Sequence, residues 1–363
     1  MRRRNFLQYL APLGAGLLGG QELLARTTDP AMKLGPNPPY LKPGDMLGIT
    51  CPAGSIEPKD ARYTEVMVAK WGFKTRVGST VGKHWQRFAG TDMERAADFQ
   101  RMIDDPYIRA IIFGRGGYGV IRMMDYINWD NFKKHPKWLV GFSDITALHC
   151  HVNRNFSIPT IHARMAGGFN AVEDESEISL RDILSGKQVD YRWKAHPLNR
   201  AGKATGMLVG GNLSMIYAMQ ASQSELDTTQ KILFLEDVSE YKYTIDRMLM
   251  NLKRSGKLHN LAGLIIGGFT GIKEEEVDGF FSMSLEEIIL EKVKEFSFPV
   301  SFGFPAGHQK PNLAIKLGMH YTLFTGIGES NLTEITDPHP ALPLQPFLDS
   351  IAPPPADSII QIP

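Results

Sequence analysis

The apolar run Trp138-Leu-Val-Gly-Phe142 stops on Ser143-Asp144-Ile145-Thr146, and a helical pattern follows at once. A serine at the junction of a buried strand and a helix stands at the lip of a sheet, where the first helix amides face whatever its hydroxyl touches. Two chemistries suit that place. Serine is a favoured helix cap, its oxygen bonding the early amides of the helix it opens. It is also a nucleophile for acyl carbon, given a base within hydrogen-bond reach and an acid to orient the base. The local motif, Gly141-Phe-Ser-Asp-Ile145, lacks the second glycine of a G-x-S-x-G elbow, so position 143 alone leaves both readings open.

Ten histidines are available as a base. His149 and His151 fall in the helix after Ser143, two apart and therefore on different faces, and are expected to point away from the strand end. His84, His135, His196, His259, His320 and His339 stand in polar contexts, whereas His162, which follows a short strand at Thr160-Ile161, stays a candidate. His308 is the sharpest candidate, because Phe302-Gly-Phe-Pro305-Ala-Gly-His308 shapes a loop at a strand end that can hold an imidazole rigidly. For the acid, Lys231-Ile-Leu-Phe-Leu235 reads as a buried strand ending in Glu236-Asp237. A carboxylate there is costly unless paired or used, so Glu236 either orients a histidine or anchors the next loop with Arg247. The order Ser143, Glu236, His308 is the nucleophile–acid–histidine order of α/β-hydrolases.

Metal hydrolysis is the competing chemistry, with Asp144, Glu236, Asp237, Glu240 and His308 as ligands. No H-E-x-x-H, strand-borne H-x-H or cysteine cluster supports it, and no metal or cofactor is expected. A second motif, Gly114-Arg-Gly116-Gly-Tyr-Gly119, follows a strand and opens a helix, which satisfies the dinucleotide pattern G-x-G-x-x-G. It sits after the third strand rather than the first, an arginine stands inside it, and no acid ends a strand at the required distance. The other readings are a tight turn that needs glycine backbone angles and a backbone N–H aimed at a developing oxyanion.

The elements that would position these residues alternate. Strands at Met46–Thr50, Phe73–Val77, Ala110–Phe113 and Trp138–Gly141 are separated by helices at Pro58–Lys70, Met93–Ile103 and Val120–Tyr126. That alternation predicts a parallel sheet covered on both faces, with ligands beyond the carboxyl ends of its strands. Residues 41–170 form this N-terminal α/β domain, and 171–201 read as a linker with one helix. Residues 202–337 form a β-rich second domain. Its strands are expected at Ala204–Val209, Ile232–Leu235, Leu264–Gly267, Val300–Phe302, Leu313–Leu317 and Tyr321–Phe324, and its helices near Asn212–Met219, Thr244–Leu252 and Leu285–Phe296. A proline-rich tail, 338–363, follows.

The chain has 363 residues and a formal charge of +1, which leaves no basic surplus for a nucleic-acid partner. Arg2-Arg3-Arg4, Asn5-Phe6-Leu7 and a Gly-rich apolar stretch to about Gly20 have the shape of a twin-arginine export signal within residues 1–31, implying an exported, periplasmic protein. No later segment is apolar and long enough for a membrane span. Cys51 and Cys150 lie in separate apolar elements and read as two buried free thiols.

Together these segments resemble the LD-carboxypeptidase family of serine peptidases, which includes murein tetrapeptide carboxypeptidases and microcin-immunity proteins. The matching pieces are Arg87-Phe-Ala-Gly-Thr91, Arg115-Gly-Gly-Tyr-Gly119, Gly141-Phe-Ser-Asp-Ile-Thr146, Gly210-Gly-Asn-Leu213, Leu235-Glu-Asp237 with Glu240, Ile245-Asp-Arg-Met-Leu249, Gly307-His308 and Leu317-Gly318. The resemblance implies a flavodoxin-like N-terminal half, akin to class I glutamine amidotransferases, joined to a β-rich C-terminal domain, usually in a homodimer. It implies that Ser143 attacks, His308 is base then acid, Glu236 holds the imidazole, and the backbone amides of Gly117 and Asp144 form the oxyanion hole. The implied reaction releases terminal D-alanine from murein tetrapeptide without a cofactor, and Arg115 or Arg164 would meet the substrate carboxylate. Where many members carry Gly-Pro-Met, this chain has Ala163-Arg164-Met165, which would alter the pocket. The rival expectations are cleavage of a peptide–nucleotide or other acyl-dipeptide amide, as in microcin immunity, and a non-catalytic binder of peptidoglycan fragments.

Overall fold

A computed structural model describes residues 36–274 and 282–335. The expected export signal and the proline-rich tail lie outside the described residues.

The first half runs β1 (Met46–Thr50), α1 (Pro58–Lys70), β2 (Lys74–Val77), α2 (Asp92–Asp104), β3 (Ile108–Phe113), α3 (Val120–Met123), α4 (Asp130–Lys134), β4 (Trp138–Gly141), α5 (Thr146–Phe156) and β5 (Thr160–His162). The second continues with α6 (Glu175–Leu184), β6 (Asp190–Lys194), β7 (Gly202–Asn212), α7 (Leu213–Ala218), β8 (Ile232–Val238), α8 (Lys242–Arg254) and β9 (Gly263–Thr270). It ends with α9 (Leu285–Lys292), β10 (Val300–Ser301), β11 (Ile315–Leu317), β12 (His320–Thr325) and β13 (Glu329–Glu334). Local chemistry sets several boundaries. Pro58 opens α1 without forfeiting a helix hydrogen bond, and Thr91 with Glu94 closes a reciprocal cap on α2.

The first sheet has the order β11-β5-β4-β3-β1-β2. Its five N-terminal strands are parallel, in the 2-1-3-4-5 arrangement of a flavodoxin-like fold. Apolar side chains cover both faces: Leu47, Ile49, Ile112 and Val140 on one, Ile111, Phe113 and Leu139 on the other. The second sheet has the order β10-β9-β8-β7-β12-β13-β6, parallel from β7 to β10 and antiparallel beyond β7. The fold is therefore mixed α/β, a parallel sheet joined to a second, β-rich one.

Among the strands that fall where the sequence does not suggest them, two bear on the layout of the sheets. The stretch read as a linker carries β6, an edge strand that buries Tyr191 and Trp193 and exposes Asp190, Arg192 and Lys194. Its alternating polar face makes it read as loop. The Leu313–Leu317 strand, expected in the second domain, instead pairs antiparallel with β5 of the first sheet, Ile315 opposite His162 and Leu317 opposite Thr160. Without it β5 would be an unpaired apolar edge. This pairing fixes the segment just after the His308 loop against the sheet that carries Ser143.

A second tie lies at the start of α5. The Thr146 hydroxyl accepts a hydrogen bond from the Asn212 amide at 3.0 Å. A Cβ on Gly211 (φ +130°) would stand 2.6 Å from that oxygen, so only glycine lets β7 approach. Cys51 and Cys150 are both free and buried, and burial pushes both thiols up to about 12.

Candidate active site

Strand β4 ends at Gly141, Phe142 is extended, and Ser143 then adopts φ +62°, a left-handed backbone that a non-glycine residue holds only under steric cost. A single tight turn, 143–145, leads into α5. Neither that turn nor α5 has a side-chain cap, so Ser143 is not a helix cap. Its half-buried side chain packs instead against the glycine loop. A Cβ on Gly116 would sit 2.9 Å from both Cβ and Oγ of Ser143 and 3.4 Å from the Asp144 nitrogen.

The glycines of that loop have separate reasons. Gly114 packs against the Cys51 sulfur, Gly116 admits Ser143, and Gly119, at φ +136°, leaves room for Phe88 and Arg95. Gly117 has φ +106° with open space around it, so its requirement is the backbone alone. The dinucleotide reading fails on α3. That helix is four residues long, and its first amide, from Val120, donates to Asp144 Oδ2 at 2.9 Å, where a phosphate would need it. Asp144 is buried, and burial raises its pKa to about 6 against the opposing pull of the Val120 N–H and of Arg95 and Arg87. Its carboxyl therefore straps the glycine loop to the Ser143 turn.

His308 arrives from the second half. Gly307 (φ +104°) donates its N–H to Asn312 Oδ1 at 2.8 Å, and a Cβ there would press within 2.7 Å of Glu236 Cβ. The His308 carbonyl accepts from the Thr270 hydroxyl at 2.6 Å. With its backbone so held, the imidazole Nδ1–H donates to Glu236 Oε2 at 2.5 Å, and the ring centre lies 4.8 Å from that of Phe142, the residue before Ser143. Glu236 is fully buried within β8, which runs past the end expected from the sequence, to Val238. Burial pushes its pKa up, but the His162 and His308 imidazoles outweigh that and hold it at about 2. Of the two roles expected for Glu236, contact with a histidine is the one observed; Arg247 lies over the Tyr243 ring, 5.4 Å from its centre.

The remaining candidates separate. His149 does not point away from the strand end: its Nε2–H donates to the Gly141 carbonyl at 2.8 Å, and burial pushes its pKa down to about 3. His151 hydrogen-bonds Ser224 at 2.8 Å among Trp129 and Phe156. Asp237 accepts from Asn212 and Ser214. Among the described residues no three His, Cys, Asp or Glu side chains are grouped so as to hold a metal ion.

A cavity of about 750 Å³ opens beside this cluster, lined by Arg115, Phe142, Arg164, Gly307, His308 and Lys310 among others. Arg164 is buried and already doubly paired, with Glu177 at 2.6 Å and Asp174 at 2.8 Å, so its charge is spent on the wall rather than free for a ligand. Arg115 is exposed and makes no ion pair among the described residues. His162, which the sequence leaves open as a candidate after a short strand, lies in β5 with its Nε2 3.9 Å from Glu236 Oε1.

A strained strand-end serine beside a histidine–glutamate pair, on a doubly covered parallel sheet, is the layout of a hydrolase of the serine type. Family comparison makes the class specific. The LD-carboxypeptidase N-terminal domain matches residues 47–163 and the LD-carboxypeptidase C-terminal domain matches residues 205–323. The chain belongs to the LD-carboxypeptidase family. It is 33% identical over 289 residues to the "Probable murein peptide carboxypeptidase" of Bacillus subtilis, covering 77% of this chain and 89% of that one. It is 28% identical over 285 residues to the murein tetrapeptide carboxypeptidase of Pseudomonas aeruginosa, covering 75% and 91%. In fold it is similar to the muramoyltetrapeptide carboxypeptidase of Oxalobacter formigenes (TM-score 0.72, 24% identity, 79% and 97% covered). It is equally similar to the microcin C7 self immunity protein MccF in complex with glutamyl sulfamoyl guanosine (TM-score 0.72, 22% identity, 82% and 98% covered).

Proposed function

We propose that this chain is a serine carboxypeptidase that hydrolyses the bond between an L-centre and the terminal D-alanine of murein tetrapeptides. The observation that carries the reading is the 2.5 Å His308–Glu236 contact, set beside a serine held at φ +62°. In this mechanism His308 Nε2 takes the Ser143 proton as Oγ attacks the carbonyl carbon. Glu236 fixes the tautomer by accepting Nδ1–H and stabilises the imidazolium that forms. The Gly117 and Asp144 amides receive the oxyanion. The imidazolium then protonates the departing D-alanine nitrogen, and a water activated by the same ring releases the acyl group. Arg115, at the cavity wall without an ion pair, suits the terminal carboxylate.

Names of relatives in the family support a murein peptide as substrate. The twin-arginine pattern at the N-terminus supports action in the periplasm on stems of the wall or its fragments. No helix among the described residues is long and apolar enough to cross a membrane. A homodimer is the assembly the family resemblance favours. The likeness to MccF favours one second reading, cleavage of a peptide–nucleotide amide. Offering the purified chain murein tetrapeptide and an aminoacyl sulfamoyl nucleoside, with mass spectrometry of both, separates the two. Loss of one alanine from the tetrapeptide supports the carboxypeptidase. An intact tetrapeptide with a cleaved nucleoside conjugate supports the immunity-type enzyme, and both intact would leave a binding protein.

A further inference from the structure

Glu236 has two oxygens, and the triad accounts for one. Oε2 accepts from His308, while Oε1 is buried and has no hydrogen bond among the described residues. Nε2 of His162 stands 3.9 Å from it, too long for a hydrogen bond but within reach of a small ring movement. His162 is itself fully buried, and neither of its ring nitrogens has a hydrogen-bond partner. Its walls are aromatic: Phe234 edge-on at 5.1 Å and 88°, Phe142 at 5.7 Å and 62°, with the His149 ring at 6.4 Å. An imidazole closed in by rings is costly to bury unless its N–H is spent on something, and the carboxylate it faces is the one the triad uses.

We propose that His162 is a positioning residue for the hydrolytic reaction: as the Nε2–H tautomer it holds Glu236 Oε1, so that the carboxylate is gripped at both ends and Oε2 is kept facing His308. The proposal rests on the Ser143–Glu236–His308 reading of the site. His162 moves no proton; the serine proton goes to His308 Nε2 and from there to the leaving amine. What His162 supplies is rotational restraint on the carboxylate and partial neutralisation of its negative charge. The fold serves this arrangement. β5 carries His162 beside β4, and β11 pairs Ile315 across from it. The groups facing Glu236 from the elements around it are His162 from β5, His308 from its loop, and Asp237 as its chain neighbour, with His149 of α5 behind His162.

The test uses the full chain, with nitrogen-15 in its histidines, and the variants His162→Phe and His162→Gln, Gln keeping an N–H donor. NMR of the wild type should show His162 protonated at Nε2 and bare at Nδ1, with a resonance that moves in Glu236→Gln. Labelling of Ser143 by a fluorophosphonate, followed against pH, should be roughly tenfold slower in His162→Phe. Its acid limb should move to higher pH by about half a unit, because the undivided carboxylate charge favours the imidazolium. His162→Gln should recover part of the rate and return the limb toward its original position. A bare Nε2, a His162 resonance indifferent to Glu236→Gln, or wild-type labelling with an unmoved limb in His162→Phe would each overturn the proposal. A purely structural role would lower the rate without moving the limb. If Ser143 in the wild type fails to label, the triad reading falls, while the two resonances still decide whether His162 holds Glu236.

Discussion

Gly116→Ala is a sharp mechanical probe of this site. Gly116 does not have a left-handed backbone, so alanine meets no conformational objection there. What the new methyl meets is Ser143, at 2.9 Å from both Cβ and Oγ, against 3.4–4 Å for ordinary contact. Either the loop or the serine must give by about half an ångström to an ångström, and a displacement of ~1 Å at a reacting atom costs about a hundredfold in rate. That is about 2.7 kcal/mol of barrier. Overpacking of one methyl should take about 1–3 kcal/mol from stability, leaving the protein folded. The assay is the second-order rate of Ser143 labelling by a fluorophosphonate, beside thermal melting of the variant. Gly116→Ala should melt somewhat lower and label about a hundredfold more slowly. Labelling at the wild-type rate with a native melt would show that the Gly116–Ser143 approach has no bearing on the nucleophile.

Further predictions follow from the charges around the serine. Glu236→Gln keeps the shape but removes the charge that fixes the His308 tautomer, and peptide hydrolysis should fall by roughly a thousandfold or more. Because the folded pKa of Glu236 is depressed from 4.5 to about 2, its ionised form adds about 3 kcal/mol above the unfolded pKa. That contribution disappears as pH falls through 2, and denaturant titrations of wild type against Glu236→Gln between pH 7 and 2 would read it. Asp144 has the opposite sign: raised from 3.8 to about 6, its ionisation costs about 3 kcal/mol above pH 6. Wild-type stability relative to Asp144→Asn should therefore rise as pH drops from 7 toward 4, and a flat difference would refute the assignment. Arg164→Ala should cost about 3–5 kcal/mol in denaturant unfolding, because it strands the buried Glu177 without its partner. Arg115→Ala should leave the melt unchanged and raise KM about tenfold, as expected for a lost carboxylate contact.

Much of this molecule can be read from its residues, for physical reasons that also explain the failures. Pro58–Lys70 is legible as a helix to the residue because proline opens it, and Trp138–Gly141 because a wholly apolar run bounded by glycine suits a buried strand. β6 and β13 escape because short strands with one polar face resemble loops. The place of β11 escapes for a different reason. Its pairing with β5 joins residues about 150 apart in the chain, and no local pattern encodes that partner. The same holds within the site. Ser143, Glu236 and His308 stand out because each occupies the end of a strand or a glycine-shaped loop. His162 stays open in the sequence as a candidate, and its place beside Glu236 depends on bringing together distant segments that no local pattern encodes. Arg164 looks available as a ligand because Asp174 and Glu177, which consume its charge, lie ten and thirteen residues away across a turn.

The central claim is that Ser143 is the nucleophile, and covalent trapping tests it most directly. The purified wild-type chain, treated with a fluorophosphonate and examined by intact mass and peptide mapping, should carry one adduct, on the peptide containing Ser143. Ser143→Ala, folded by its melting curve, should carry none. An adduct on another serine, or equal labelling of Ser143→Ala, would contradict the account.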